Sequence, residues 1–250
     1  MEHFGQCIAV VSGKGGTGKT SFTAGVGAAL ALSGRRVLCL DCDIGLRSLD
    51  LALGLSDRTL MDFSDVAQNR CSLDMAAVEH PKIPGLYLLT APAWLRGRPV
   101  TESQMADLLR EVREQYDDCL LDAPAGLGTG FHLATCCADR CVVVTTSDAS
   151  SLRDAQHTVM ELERFPAGTL HLVVNRVRKK LLRQLHATID DAIDKAGLPL
   201  LGVVPEDDAL PLCMNRGLPI LQADAPSAAA AYRNIARRLQ GERVPLLRIR

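Results

Sequence analysis

An open, doubly wound α/β fold, with a mostly parallel sheet flanked by helices, is what this sequence predicts. Three observations carry that expectation. Short runs of aliphatic and β-branched residues recur along the whole chain, at 6–11, 36–41, 85–90, 117–122, 140–145, 169–175 and 200–205. Several are apolar without alternation, Cys141-Val142-Val143-Val144 being the clearest, which suits parallel strands covered on both faces. Helical patterns lie between the runs, and strand–helix alternation of this kind builds an open sheet. Ligands of such sheets bind at the carboxyl ends of the strands, so the residues after each run are where chemistry is sought.

The first run leads straight into Gly13-Lys14-Gly15-Gly16-Thr17-Gly18-Lys19-Thr20, the spacing G-x-x-x-x-G-K-[ST] between a strand and a helix. Its glycines let backbone N–H groups turn inward and cradle phosphates at a helix N-terminus. Lys19 is placed to reach the β and γ phosphates and Thr20 to ligate Mg²⁺. The expected nucleotide-binding set here is Gly13, Lys14, Gly15, Gly16, Thr17, Gly18, Lys19, Thr20 and Ser21. Lys14 is surplus to a single phosphate site. By charge alone it is either a solvated surface lysine or a group that reaches a phosphate held by a second subunit.

The second run ends in Asp41-Cys42-Asp43-Ile44-Gly45-Leu46-Arg47-Ser48-Leu49-Asp50. Two carboxylates at a strand end beside a phosphate loop can organise Mg²⁺ and an attacking water, or they can simply cap the next helix. Thr101 with Gln104 three residues on reads as a capping box, and Met105, Leu108, Leu109 and Val112 mark the buried face of the helix it opens. Cys119-Leu120-Leu121-Asp122-Ala123-Pro124-Ala125-Gly126 is an apolar strand ending in an acid. That is a Walker-B-like arrangement in which Asp122 binds Mg²⁺ through water, or a strand end capped by Asp. The expected metal set is Thr20, Asp43 and Asp122.

Ser147-Asp148-Ala149-Ser150-Ser151-Leu152-Arg153-Asp154 reads as a polar loop and N-cap. Asn175-Arg176 and Pro205-Glu206-Asp207 follow the last two runs. Their side chains and backbone groups can pair with an adenine edge or satisfy their own loops. Arg176, Arg178, Lys179, Lys180 and Arg183 form a basic run, a solvated face or a contact for lipid headgroups or DNA. Asp224 and Ala225 before Pro226 open a last helix with Tyr232, Ile235 and Leu239 on one side.

Bulk composition narrows the classes. Apolar residues make up 47% of the 250 and charged residues 23%, ordinary for a globular chain. A net charge of −1 gives no global pull toward nucleic acid or acidic membrane. No run reaches the roughly 18 apolar residues that span a bilayer, and the N-terminus Met1-Glu2-His3-Phe4-Gly5-Gln6-Cys7 has no secretory pattern. Nine cysteines, several inside apolar runs, fit reduced, buried thiols. The spacings Cys39-x-x-Cys42 and Cys136-Cys137-x-x-x-Cys141 are poor metal pairs, because strand residues three apart point to opposite faces. The expectation is a single domain over 1–250 with a short tail from about 241.

Lys14-Gly15-Gly16-Thr17-Gly18-Lys19-Thr20 resembles the deviant Walker A motif of the ParA/MinD ATPases, P-loop NTPases of the SIMIBI type. Asp41-x-Asp43-Ile44-Gly45-Leu46-Arg47-x-Leu49-Asp50, Asp122-Ala123-Pro124-Ala125-Gly126, 201–207 and 232–239 resemble the MinD-like, septum-site-determining branch in particular. The family's usual Asn stands as Ser48 here, and an acid after the switch II glycine stands as Gly128. The resemblance implies an ATP-sandwiched homodimer in which Lys14 touches the partner's nucleotide. It also implies catalytic roles for Lys14, Lys19 and Asp43, a base pocket including Asn175, Arg176, Pro205 and Glu206, and partner contacts at Arg153 and Asp154. It implies a slow, partner-stimulated, Mg-dependent ATPase with MinC-like and MinE-like partners. Such an enzyme is cytoplasmic, and peripheral at the inner face of an anionic membrane. The chain's last residues, Leu246-Leu247-Arg248-Ile249-Arg250, mix apolar and basic groups but are too few for a stable helix, where these relatives continue into a basic amphipathic one. Within the family the rivals are a DNA-bound ParA-type partition ATPase and a metal-cluster carrier; outside it stands a non-catalytic nucleotide-dependent scaffold.

Overall fold

The computed structural model describes residues 4–94, 98–184, 188–216 and 226–247. In chain order the elements are β1 (Gln6–Val11), α1 (Lys19–Leu32), β2 (Val37–Asp41), α2 (Ser48–Leu53), α3 (Phe63–Ala67), α4 (Leu73–Ala76), β3 (Val78–Glu79), β4 (Leu86–Leu89), α5 (Glu102–Gln115) and β5 (Asp118–Asp122). There follow α6 (Thr129–Thr135), β6 (Arg140–Thr145), α7 (Ala149–Glu161), β7 (Leu170–Val177), α8 (Lys179–Gln184), α9 (Ile189–Ala196), β8 (Leu200–Pro205), α10 (Ala209–Asn215) and α11 (Pro226–Leu239).

The strands form one sheet in the order β3-β4-β2-β5-β1-β6-β7-β8. All pairings are parallel except the short edge pair β3·β4. The chain leaves β1 toward β2 and β4, returns to β5 beside β1, then crosses to β6 on the other side of β1. The order reverses there, and crevices at such a switch point hold ligands.

Apolar runs without alternation have a direct cause in the packing. Cys7, Ala9 and Val11 of β1 enter one core, while Ile8 and Val10 enter the other. Leu38 and Leu40 of β2 are divided in the same way from Val37 and Cys39, and Cys141 and Val143 of β6 from Val142 and Val144. Helices α5, α7 and α9 cover the first face; α1, α2 and α11 cover the second. Cys39 and Cys42 fall in different cores. Among the described residues no group of three or more His, Cys, Asp or Glu side chains is placed to hold a metal ion on protein ligands alone.

The expected capping box on α5 is present, Thr101 Oγ1 accepting from Gln104 N–H and the Gln104 amide oxygen from Thr101 N–H. Four strands shift at their boundaries. The expected 36–41, 85–90 and 117–122 begin one residue later, and the second of these runs also ends one residue earlier. Gly85 stands at φ +82°, a turn conformation that leaves it outside the strand. The expected 169–175 runs instead from Leu170 to Val177, with an irregularity before Val177 pairs with Pro205. The two-residue β3 has no sequence signal of its own. Asp224 and Ala225, expected to open the last helix, and Arg248, Ile249 and Arg250 lie outside the described residues.

Helices α1 and α11 approach closely because Gly25 has no side chain. A Cβ there would stand 2.3 Å from Tyr232 Cδ2, on a ring that is fully buried. In an open helix, alanine for glycine would stabilise by about 1 kcal/mol. Here overpacking of about 1–3 kcal/mol opposes it. Gly25→Ala is therefore expected to lower the melting temperature; a rise in a thermal melt would show that the contact yields.

Candidate functional site

The carboxyl ends of β1, β2, β5, β6, β7 and β8 bring the expected site residues to one rim of the sheet. The loop 12–18 lies at its centre. Gly16 and Gly18 take φ +78° and +87°, and α1 begins at Lys19. A Cβ on Gly18 would meet Asn175 Nδ2 at 2.4 Å, so glycine is required there for both backbone angle and space. Above Gly16 the space is open.

Lys19 is buried, and its Nζ donates to Ser12 Oγ at 2.8 Å. Ser12 Oγ in turn donates to Lys14 O at 2.7 Å. Burial pushes the Lys19 pKa down, against the pull of Asp122 and Asp43. Thr17 Oγ1 is buried without a hydrogen-bond partner. An orphaned hydroxyl beside open space, at the N-terminus of a helix, fits an oxyanion.

Asp122 ends β5, and its Cα is in register with Asp41 on β2. Burial raises the Asp122 carboxyl to about 7; hydrogen bonding from Thr20 and the charge of Lys19 oppose this, while Asp41 and Asp43 add to it. Thr23 Oγ1 donates to Asp122 Oδ1 at 3.4 Å. Asp43 is half-buried, and burial raises its pKa against the charge of Lys19. Thr20, Asp43 and Asp122 together offer hard oxygen donors, the set that suits Mg²⁺ alongside substrate phosphates. The residues therefore fit the expected metal.

Burial also raises Asp41, to about 6. A carboxyl whose folded pKa exceeds its unfolded one stabilises the fold below the unfolded pKa, and that stability is lost as pH rises through the folded value. For Asp41 and Asp122 the window runs from about pH 4 to about 7. The ligand-free protein is expected to melt at a higher temperature at pH 5.5 than at pH 8, and Asp122→Asn should flatten that difference. An unchanged slope in the variant would show that Asp122 is not responsible.

Lys14 leaves its own loop. Its Nζ pairs with Asp148 Oδ1 at 3.4 Å, with both side chains nearly half exposed. Asp148 caps α7, accepting from Ser151 N–H at 3.0 Å and Ser151 Oγ at 2.7 Å, and from Thr146 Oγ1. Burial alone would raise its pKa; these hydrogen bonds and Lys14 override it and hold the group well below the usual carboxylate range. Helix α7 also presses on the loop, since a Cβ on Gly13 would meet Asp154 O at 2.6 Å. Arg153 is exposed and Asp154 partly so.

A cleft of about 200 Å³ opens beside the loop, lined by Gly18, Ser21, Asn175, Arg176, Pro205 and Glu206, with Leu210 and Met214 of α10 as a wall. Asn175 is buried, and its amide nitrogen donates to Thr17 O at 2.8 Å while its oxygen accepts from Arg176 N–H at 3.0 Å. The nitrogen end of the amide thus holds the phosphate loop, and the oxygen end holds the backbone of β7. Arg176 makes a two-pronged pair with Glu206 at 3.0 Å and donates to Gly16 O at 3.1 Å. Ser21 Oγ donates to Met214 Sδ at 3.4 Å.

Every site residue read from the sequence is on this rim or on α7 beside it. The reading missed Ser12, which sits one residue before the motif, and Asp148, whose N-cap position was legible but whose pairing with Lys14 was not.

With this geometry in view, known proteins give a consistent comparison. The family described as CobQ/CobB/MinD/ParA nucleotide binding domain matches residues 8–220. The chain belongs to this family. Its members are nucleotide-binding ATPases. The septum site-determining protein MinD of Bacillus subtilis is 39% identical over 245 residues, covering 97% of this chain and 91% of that protein. MinD of Synechocystis sp. is 38% identical over 243 residues, covering 96% and 91%. In the Aquifex aeolicus MinC:MinD cell division protein complex one chain superposes with a TM-score of 0.90 at 34% identity, covering 97% of this chain and 98% of that one. Pyrococcus horikoshii MinD complexed with Mg-ADP gives 0.80 at 28%, covering 94% and 95%. The doubly wound sheet is the family's P-loop fold.

Proposed function

We propose that this chain is an ATP-driven dimerisation switch that acts in placement of the division site, as its MinD relatives do. The observation that carries the mechanism is the division of labour between two lysines of one loop. Lys19 is buried among the loop's own groups, while Lys14 faces out of the loop onto an exposed acid. One serves the nucleotide of its own subunit, and the other is free to serve a partner's.

ATP is the substrate. Its phosphates take the place over Gly16 and satisfy Thr17 Oγ1, and its base enters the cleft between Asn175-Arg176 and Pro205-Glu206. Thr20, Asp122 and Asp43 would hold Mg²⁺, which would neutralise phosphate charge. Lys19, steadied by Ser12, offers its positive charge to the β and γ phosphates. Asp43, one loop away from Asp122, orients the attacking water. Lys14 gives up Asp148 and adds a second positive charge from across the dimer. Loss of the γ phosphate removes the ligand that holds Lys14 across the interface, and the subunits part.

The partner set is a second copy of the chain and a protein of the MinC kind, as in the Aquifex aeolicus complex; a MinE-like stimulator and an anionic membrane surface complete the proposal. No helix of the described residues is long and apolar enough to cross a membrane, so attachment would be peripheral. The exposed cations of α8, Lys179, Lys180 and Arg183, favour a ParA-type DNA contact as the second reading, and binding to duplex DNA that weakens steeply with salt would support it. The first test is sedimentation of the purified protein with a non-hydrolysable ATP analogue and with ADP. The proposal expects a dimer with the triphosphate only, and a monomer in both states would sink it.

A further inference from the structure

The segment 42–49 carries Asp43 and runs into the first turn of α2, with Gly45 at φ +93°. Helix α2 opens without help from its N-cap: Arg47 takes φ 48° and makes no capping hydrogen bond. The stabilising group comes from outside the loop. Asp41 is completely buried at the tip of β2. Its Oδ1 accepts from Asp43 N–H at 2.8 Å and its Oδ2 from Leu49 N–H at 3.2 Å. One carboxylate thus closes both ends of the loop, each oxygen taking one end.

The surrounding contacts make this a fixed point. Cys42 N–H donates to Asp122 O at 3.0 Å, tying the loop's start to the strand that carries the other site acid. Gly45 N–H donates to Pro92 O at 3.1 Å. Arg47 N–H reaches Asp43 O at 3.4 Å, and the Arg47 guanidinium pairs with Asp50 at 2.9 Å and with Thr59. Leu49 and Leu53 of α2 are buried in the core shared with α1, and α2 also packs on α10, the wall of the base cleft.

We infer that Asp41 is a positioning residue: its carboxylate sets where Asp43 stands and couples that position to α2 and the base cleft. Both Asp41 oxygens accept from backbone amides, so the role assigned to Asp41 is support of the loop, although it is the first of two acids at a strand end. The inference rests on the reading of Asp43 as the group that orients water.

Asp41→Asn keeps the size of the side chain but turns one acceptor into a donor facing an N–H. The loop end that loses its acceptor drifts, and a misplacement near 1 Å can cost about a hundredfold in rate. The expected result is kcat reduced at least tenfold with the dissociation constant for an ATP analogue changed less than threefold. Asp43→Ala alone is expected to be slow, and the Asp41→Asn/Asp43→Ala double variant no slower than it within twofold, because both changes remove one function. Hydrogen exchange supplies an independent reading. In the unaltered protein the amides of Asp43 and Leu49 should exchange more slowly than those of Ile44 and Leu46, and in Asp41→Asn that difference should shrink while β2 stays protected. Unprotected Asp43 and Leu49 amides in the unaltered protein, an unchanged kcat, or losses that multiply in the double variant would overturn the inference. An Asp43→Ala protein with normal turnover would overturn the assignment of Asp43 itself, and with it the catalytic part of this inference; the exchange rates still report on the carboxylate clamp separately.

Discussion

Lys19→Ala is expected to abolish ATP turnover, at least a hundredfold below the unaltered protein, and to weaken ATP binding. Removal of one preorganised charge from a developing transition state costs about 10²–10³ in rate in comparable settings. Lys19 is buried, its Nζ rests on Ser12, and it faces Asp122 and Asp43. Alanine therefore removes the positive charge that opposes the upward shifts of both acids. With it gone, both carboxyls rise further, and the site is less able to present ionised oxygens to a metal at neutral pH. Phosphate release and calorimetric ATP binding check this. Turnover above a tenth of the unaltered rate would remove Lys19 from the mechanism.

Lys14→Ala is expected to give a different phenotype from the same loop. Its Nζ contacts only Asp148 among the hydrogen bonds and ion pairs of the described residues, and a screened pair of this exposure is worth less than about 1 kcal/mol. The fold and the phosphate cradle therefore survive. ATP affinity should change less than about threefold, whereas dimerisation on ATP and turnover should both be lost, the latter at least a hundredfold. Sedimentation with ATP, paired with calorimetry, separates the two lysines. A Lys14→Ala protein that dimerises and turns over normally would show that the lysine is a surface group held by Asp148 and nothing more.

How far the sequence was legible depends on whether a feature is local. The glycine and lysine spacing of 13–20 forced a phosphate loop because the backbone angles at Gly16 and Gly18 and the adjoining helix are properties of eight consecutive residues. The capping box at Thr101 is likewise contained in four residues. The unalternating Val-rich run at 141–144 announced a strand buried on both faces, and its residues do divide between two cores. Asn175 was legible as a site residue, but the spending of its amide on Thr17 depends on two loops 158 positions apart.

The sequence by itself determined the alternation of strands and helices, the phosphate loop with its two lysines, and the acids at the ends of β2 and β5. Only the tertiary structure decided what each charged group faces. It put Lys14 on Asp148, raised Asp41 and Asp122 by burying them side by side on neighbouring strands, and gave the Asp41 carboxylate two backbone amides to hold. The reason is physical. Backbone angles and hydrophobic periodicity are fixed by neighbours in the chain, whereas solvation and charge are fixed by neighbours in space, and parallel sheet order brings together residues that the sequence keeps far apart.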